Sequence, residues 1–313
     1  MYTSEVGMTQ SLLKKFLACP RACKYYLEGY RKIGLKKPMW FGSLMHYILH
    51  IWKSQLVEGN VECTPEDVLD SPLFSAYMEE QMLEFPEDAE EIDKLLAVGS
   101  ALFYSYVAQY AEEMKQQKWI ASEIQFKEAF HGHILRGMAD GIVECSDGLY
   151  IIDHKFKGRQ SASMASLLSR DFQVEFYYTA LIQAGYDIKG FIYDVIRPPQ
   201  IKPRKTETHN EYTTRLLSDT LERPEFYFKR YNITFKQNEL QEMRTNLLKL
   251  LDRFKTWVDM GMDDVYYSTG CAMPNGGECP YLSMCTTGDD LGYTKVETFF
   301  EELPKEKGVD NGR

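Results

Sequence analysis

Residues 136–155 read RGMADGIVECSDGLYIIDHK, and this stretch decides the fold. The turn-forming Ser146-Asp147-Gly148 separates two strand-like runs, Ile134–Cys145 and Leu149–Lys155, and predicts a tight hairpin between them. Alternate residues of a strand share a face, so Asp153 and Lys155 point the same way, and hairpin pairing brings Asp140 beside them. Two carboxylates on one surface repel unless a cation lies between them. Hard oxygen donors of this kind suit Mg²⁺ or Mn²⁺. An ammonium beside the ion can then polarise water for in-line attack on a phosphodiester. An isolated Asp-x-Lys is more often an exposed ion pair. Here the apolar Tyr150-Ile151-Ile152 places the carboxylate at the end of a buried strand.

Working outward, Ile120–Phe130 predicts a preceding strand that carries Glu123 at the edge of the site. A helix is predicted over Phe172–Ala184, and Gln173 and Tyr177 share one of its faces, four residues apart, where they can reach a phosphate or the lysine. Ile188–Arg197 and Tyr227–Phe235 predict further strands, with residues 200–224 between them as a long loop. Upstream, residues 9–30 predict two short helices broken at Pro20, and residues 64–84 a helical stretch with turns at Pro65 and Pro72. The Phe41–Val57 run has a helical apolar stripe and begins with His46, a possible nitrogen ligand to the same ion. Glu90–Lys115 and Glu239–Val258 predict long helices. The sum is an α/β chain with a central mixed sheet flanked by helices. Its expected parts are a helical region at 1–117, a core at 118–235, a helix and cysteine-rich segment at 236–295, and a polar tail at 296–313.

The formal net charge of −10 seems to argue against a nucleic-acid partner, but the charge is segregated. Residues 1–60 hold nine Lys/Arg against Glu5, Glu28 and Glu58, whereas residues 61–100 hold twelve acids against Lys94 alone. A locally basic surface on an acidic protein can still follow phosphates. No run approaches the ~20 apolar residues of a membrane span, and Met1–Glu5 opens no secretory signal, so the expected location is cytoplasmic. The chain contains no Gly-x-x-x-x-Gly-Lys-Ser/Thr loop.

The seven cysteines are an odd number and cluster as 19/23 and 271/279/285, which favours metal or cluster ligation over disulphides. Four thiolates suit Zn²⁺ or an iron–sulphur cluster. Cys23 lies about one helical turn from Cys19 and competes with it as the upstream ligand. Cys63 and Cys145 stand alone and are expected to be packed thiols.

The order His46, Glu123, Gly137-Met138-Ala139-Asp140, Ile151-Ile152-Asp153-His154-Lys155 and Gln173-x-x-x-Tyr177 resembles the RecB-like branch of the PD-(D/E)XK nucleases. That branch includes the nuclease domains of RecB and AddB and the CRISPR-adaptation nucleases. Ala139 stands where proline gives the superfamily its name. The resemblance implies a restriction-endonuclease-like fold and a DNA nuclease, probable in exonucleolytic form from the same likeness, with His46, Asp140, Asp153 and the carbonyl of His154 on the metal. It makes Lys155 the catalytic lysine and Gln173 and Tyr177 an accessory motif, and it turns the His154 side chain to the opposite face. It further implies a [4Fe–4S] cluster on Cys19, Cys271, Cys279 and Cys285, because Cys19-Pro20-Arg21 and the C-terminal trio match the AddB-type clamp. The Cys271-x₇-Cys279 gap is longer than the usual two residues, and Pro274-Asn275-Gly276-Gly277 suggests a looped insertion there. Implied partners are DNA, as single strands or duplex ends, and a helicase, recombinase or integrase. The competing expectation is a catalytically silent subunit of the same fold that binds DNA or protein around a cysteine-ligated metal centre.

Overall fold

A computed structural model of the chain describes residues 2–158, 163–262, 271, 278–297, 299–300 and 303. The looped insertion expected at Pro274–Gly277 and most of the expected polar tail lie outside the described residues.

Five strands form the central sheet in chain order: β2 (Lys118–Phe130), β3 (His133–Cys145), β4 (Gly148–Phe156), β5 (Ile188–Ile196) and β6 (Phe228–Thr234). All neighbours are antiparallel except β4 and β5. The predicted hairpin closes with Cys145 opposite Gly148. Strands β4 and β5 are buried on both faces, as their Tyr-Ile-Ile and Gly-Phe-Ile-Tyr runs require of central strands. A parallel pair needs a crossover, supplied here by α7 (Met164–Leu168) and α8 (Phe172–Gln183).

Two apolar layers sandwich the sheet. On one face Ile142, Ile151, Tyr193 and Val195 pack with α1 (Gln10–Ala18), α2 (Pro20–Leu27), α8 and α11 (Gln237–Asp259). On the other, Val143, Ile152, Ile192 and Ile196 pack with α3 (Lys37–Val57) and α6 (Ala89–Gln116). The short α4 (Pro65–Leu69) and α5 (Pro72–Glu84) join α3 to α6. Among the described residues no helix is long and apolar enough to cross a membrane.

The loop expected over residues 200–224 is instead largely helical: α9 spans His209–Glu222 and α10 spans Pro224–Tyr227. Only Tyr212, Leu216 and Thr220 of α9 are buried, so its apolar stripe is one residue wide and escapes a periodicity reading. The helix is announced by its capping box, in which Thr208 and Glu211 exchange hydrogen bonds across the first turn. A second unforeseen element is a two-stranded ribbon. In it β1 (Tyr30–Lys32) pairs antiparallel with β7 (Tyr293–Lys295), which follows α12 (Leu282–Thr287) and brings the two ends of the chain together.

Gly190 lies where the sheet is tightest. A Cβ there would stand 2.5 Å from the carbonyl oxygen of Ile233 and 2.6 Å from the Tyr150 ring. Gly190→Ala is therefore expected to cost about 1–3 kcal/mol by overpacking, read as a lowered midpoint in urea. An unchanged midpoint would contradict this packing.

Candidate active site

The site forms where the sheet splits. Strands β3 and β4 pair up to Gly141 opposite Ile152, and beyond that point β4 continues against β5 alone. The amide of His154 is thus released from the β3 ladder and donates to Asp140 Oδ2 at 2.7 Å. Asp140 stands on one lip of the split, and Asp153 and Lys155 stand on the other.

Each neighbouring element adds a group. Nδ1 of His46, on α3, lies 3.2 Å from Asp140 Oδ2. Asp171 caps α8 by accepting from the Gln173 amide at 3.0 Å, and Lys14 pairs with Asp171 at 2.8 Å. The cap fixes Gln173 in the first turn, where its Nε2 donates to Asp153 Oδ1 at 2.5 Å and its Oε1 accepts from Lys155 Nζ. Lys155 Nζ also pairs with Asp153 Oδ2 at 2.7 Å. Tyr177 follows on the same face of α8 and packs edge-on to Phe126, with ring centroids 5.5 Å apart. Glu123 holds a left-handed backbone, φ +51°, between residues paired with Gly141 and Ala139, so it sits opposite Asp140. Such a conformation in a non-glycine residue stores strain and concentrates at functional sites. All seven side chains line one cleft of about 480 Å³, with Ser43, Tyr47 and Tyr77 among its other walls.

The electrostatics show a site short of positive charge. Burial pushes the Asp153 carboxyl above its ordinary range; Lys155 opposes the shift and Asp140 adds to it. Glu123 is raised by burial and by the Asp140 charge. Burial would raise Asp140 too, but the neighbouring His46 charge and the contacts with His154 hold it well below its usual value. Asp153 Oδ2 is buried without a well-formed hydrogen bond, facing only the Lys155 charge. These oxygens and the His46 nitrogen are the donors a hard divalent cation takes. Among the described residues no three His, Cys, Asp or Glu side chains close to single-ion spacing. The residues therefore offer donors of suitable chemistry but not a closed coordination shell.

His154 points to the opposite face, as expected, yet is far from idle. It is 1% exposed and lies among Asp140, Lys53, Tyr106 and Asp194. Arg230 of β6 clamps Asp194 of β5 through two hydrogen bonds of 2.5 and 2.7 Å. This buried polar chain escaped sequence reasoning, although a charged residue inside the run Phe191-Ile192-Tyr193-Asp194-Val195 is itself a signal.

Glu175 shows what the same helix does on its other side. Its carboxyl is pushed up to about 7, chiefly by burial, with Glu242 adding and the Leu247 amide opposing. A raised folded value means stability is lost as pH climbs from the unfolded carboxyl range, ~4.3, through about 7. Glu175→Gln should remove that slope and stabilise the chain at pH 8 by about 1–2 kcal/mol after allowance for solvent screening. Thermal melts across this pH range test it, and parallel profiles for the two proteins would refute it.

At the far end of the chain, Cys19, Cys271, Cys279 and Cys285 border one small cavity, with Tyr25 and Tyr281 beside them. Cys23 does not reach it: its thiol is fully buried and contacts the Leu12 carbonyl at 3.9 Å. Cys63 is buried near the Trp52 indole, whose N–H donates to the Cys63 carbonyl, and Cys145 is half-buried beside Gln117.

The family model of the PD-(D/E)XK nuclease superfamily matches residues 8–286. No curated protein shows significant similarity to the chain.

Proposed function

Because the chain belongs to the PD-(D/E)XK nuclease superfamily, we propose that it is a divalent-metal-dependent DNA nuclease of the RecB-like, AddB-type branch that processes DNA ends as an exonuclease. The observation that carries this reading is the convergence of Asp140, Asp153 and Lys155 on one cleft with Gln173 locking the last two together. Asp140, Asp153, His46 and the His154 carbonyl would hold Mg²⁺ or Mn²⁺, which when bound supplies a Lewis acid at the scissile phosphate. Lys155 orients the attacking water and holds its charge near the phosphate oxygens, because the adjacent Asp153 raises its affinity for a proton against the effect of burial. Gln173 keeps the lysine and carboxylate in register, and Tyr177 borders the substrate.

The cysteines would hold a [4Fe–4S] cluster. A zinc ion draws its four sulphurs in at about 2.3 Å, whereas a cluster spreads them; the shared cavity without single-ion spacing favours the cluster. The motor or integration activity that end processing in recombination or CRISPR-type adaptation requires would come from a partner helicase, recombinase or integrase.

Labelled single- and double-stranded DNA, tagged at either end, tests the proposal. Cleavage that needs Mg²⁺ or Mn²⁺, stops with a chelator and releases nucleotides from an end is expected. A folded protein that binds DNA but never cuts it would make the chain a silent binding subunit.

A further inference from the structure

Behind the catalytic cleft, α3 carries a lysine that the proposed chemistry does not use. His46 and Lys53 are seven residues apart, two turns along one face of the helix. His46 reaches the cleft, whereas Lys53 is 1% exposed beneath the sheet, with Nζ 3.1 Å from Nδ1 of His154. The same Nδ1 lies 3.2 Å from Asp140 Oδ2. One ring nitrogen therefore faces two groups that ask opposite things of it. An ammonium only donates and needs an acceptor; a carboxylate only accepts and would draw a proton onto Nδ1.

The other side of the ring breaks the tie. Nε2 lies 3.2 Å from the Tyr106 hydroxyl, which donates to Asp194 Oδ2 at 2.5 Å, and Arg230 fixes that carboxylate. With its own proton committed to Asp194, the Tyr106 oxygen can only accept from Nε2. The ring proton belongs on Nε2, and Nδ1 is left to accept from Lys53.

We propose that Lys53 is a positioning residue of the nuclease site: by occupying Nδ1 of His154 it stops the imidazole from donating to Asp140, so that the carboxylate stays available to the divalent cation. The inference rests on the metal-dependent reading of the cleft. Without the ammonium, the ring proton would move to Nδ1, bond Asp140 Oδ2 and compete with the ion for that oxygen. Burial lowers the Lys53 pKa to about 8 despite Asp140 and Asp194 nearby. A buried ammonium of this kind costs stability, so its presence is not explained by folding alone.

The full-length chain with ¹⁵N-labelled histidine is compared as wild type, K53M and K53R, reading the His154 tautomer by NMR and Mn²⁺ affinity by calorimetry. Wild type should carry its proton on Nε2. K53M should move it to Nδ1 and weaken Mn²⁺ binding by about 10- to 100-fold, the usual effect of losing a group that orients a ligand. K53R, which keeps a charged donor, should restore Nε2 protonation and recover most of the affinity. A purely structural lysine would alter the melting temperature and leave both readouts unmoved. A wild-type proton on Nδ1 overturns the inference, and this holds even if K53M fails to fold. Wild-type Mn²⁺ binding that K53M matches overturns the inference alone. No Mn²⁺ uptake by wild type overturns the metal reading, and the inference with it.

Discussion

Lys155→Ala protein is expected to lose DNA cleavage by about 1000-fold or more, with a melting temperature within roughly 3 °C of wild type. The two outcomes have one cause. Lys155 stands at the end of β4 with its ammonium on Asp153 Oδ2 at 2.7 Å, so the substitution removes the cation that partly offsets a buried acid. Asp153 is 2% exposed and already raised by burial; losing Lys155 raises it further, and the carboxyl relieves the strain by taking a proton. The fold thus keeps its stability while the cleft loses both its ammonium and an anionic oxygen. Asp153→Asn should be equally inactive but no less stable in metal-free buffer. Above the ordinary carboxyl range, a group with a raised folded pKa weighs against folding, and the amide removes that penalty. Steady-state cleavage rates and melting curves for the two variants check this. Either variant cutting DNA at the wild-type rate would contradict the assignment, and loss of folding in both would make the constellation structural.

The second large effect is expected at the cysteines, where two neighbours should behave as opposites. Cys19→Ser, purified without oxygen, should lose the brown colour of an iron–sulphur protein and melt far lower. Tying residue 19 to residues 271–285 closes a loop of ~250 residues, worth about 5 kcal/mol on a chain-entropy scale. Cys23→Ser should stay brown and lose only about 1–2 kcal/mol for placing a hydroxyl where a thiol packs. The contrast follows from position: Cys19 borders the cavity shared with Cys271, Cys279 and Cys285, whereas Cys23 is sealed in the core against Leu12. Visible absorbance, metal analysis and melts read the outcome. A colourless protein with stoichiometric zinc would remove the cluster and leave the nuclease reading intact.

The hairpin was legible because period-two patterning fixes both the strands and the face their acids share, and the structure keeps Asp153 and Lys155 on one side of β4. The choice between Cys19 and Cys23 was harder. A four-residue spacing suggests one helix face, but Cys19 is not helical. It is the extended residue between α1 and α2, at φ −164° and ψ 111°, which turns its thiol away from the phase of Cys23. Helix α9 was missed because its buried stripe is thin and its capping box was passed over. The support behind His154 was hidden for a different reason. Asp194 meets Arg230 only through the β5–β6 register, and Lys53 meets His154 only through the way α3 lies on the sheet. Neither pairing is encoded in local spacing.

The account stands or falls on whether Asp140 and Asp153 share one cation in front of Lys155. Anomalous diffraction from a crystal grown with Mn²⁺ measures this directly. The predicted result is a single strong peak within bonding distance of both carboxylates and facing the open cleft. A cleft with no peak at saturating Mn²⁺, or a peak bound to neither aspartate, would contradict it.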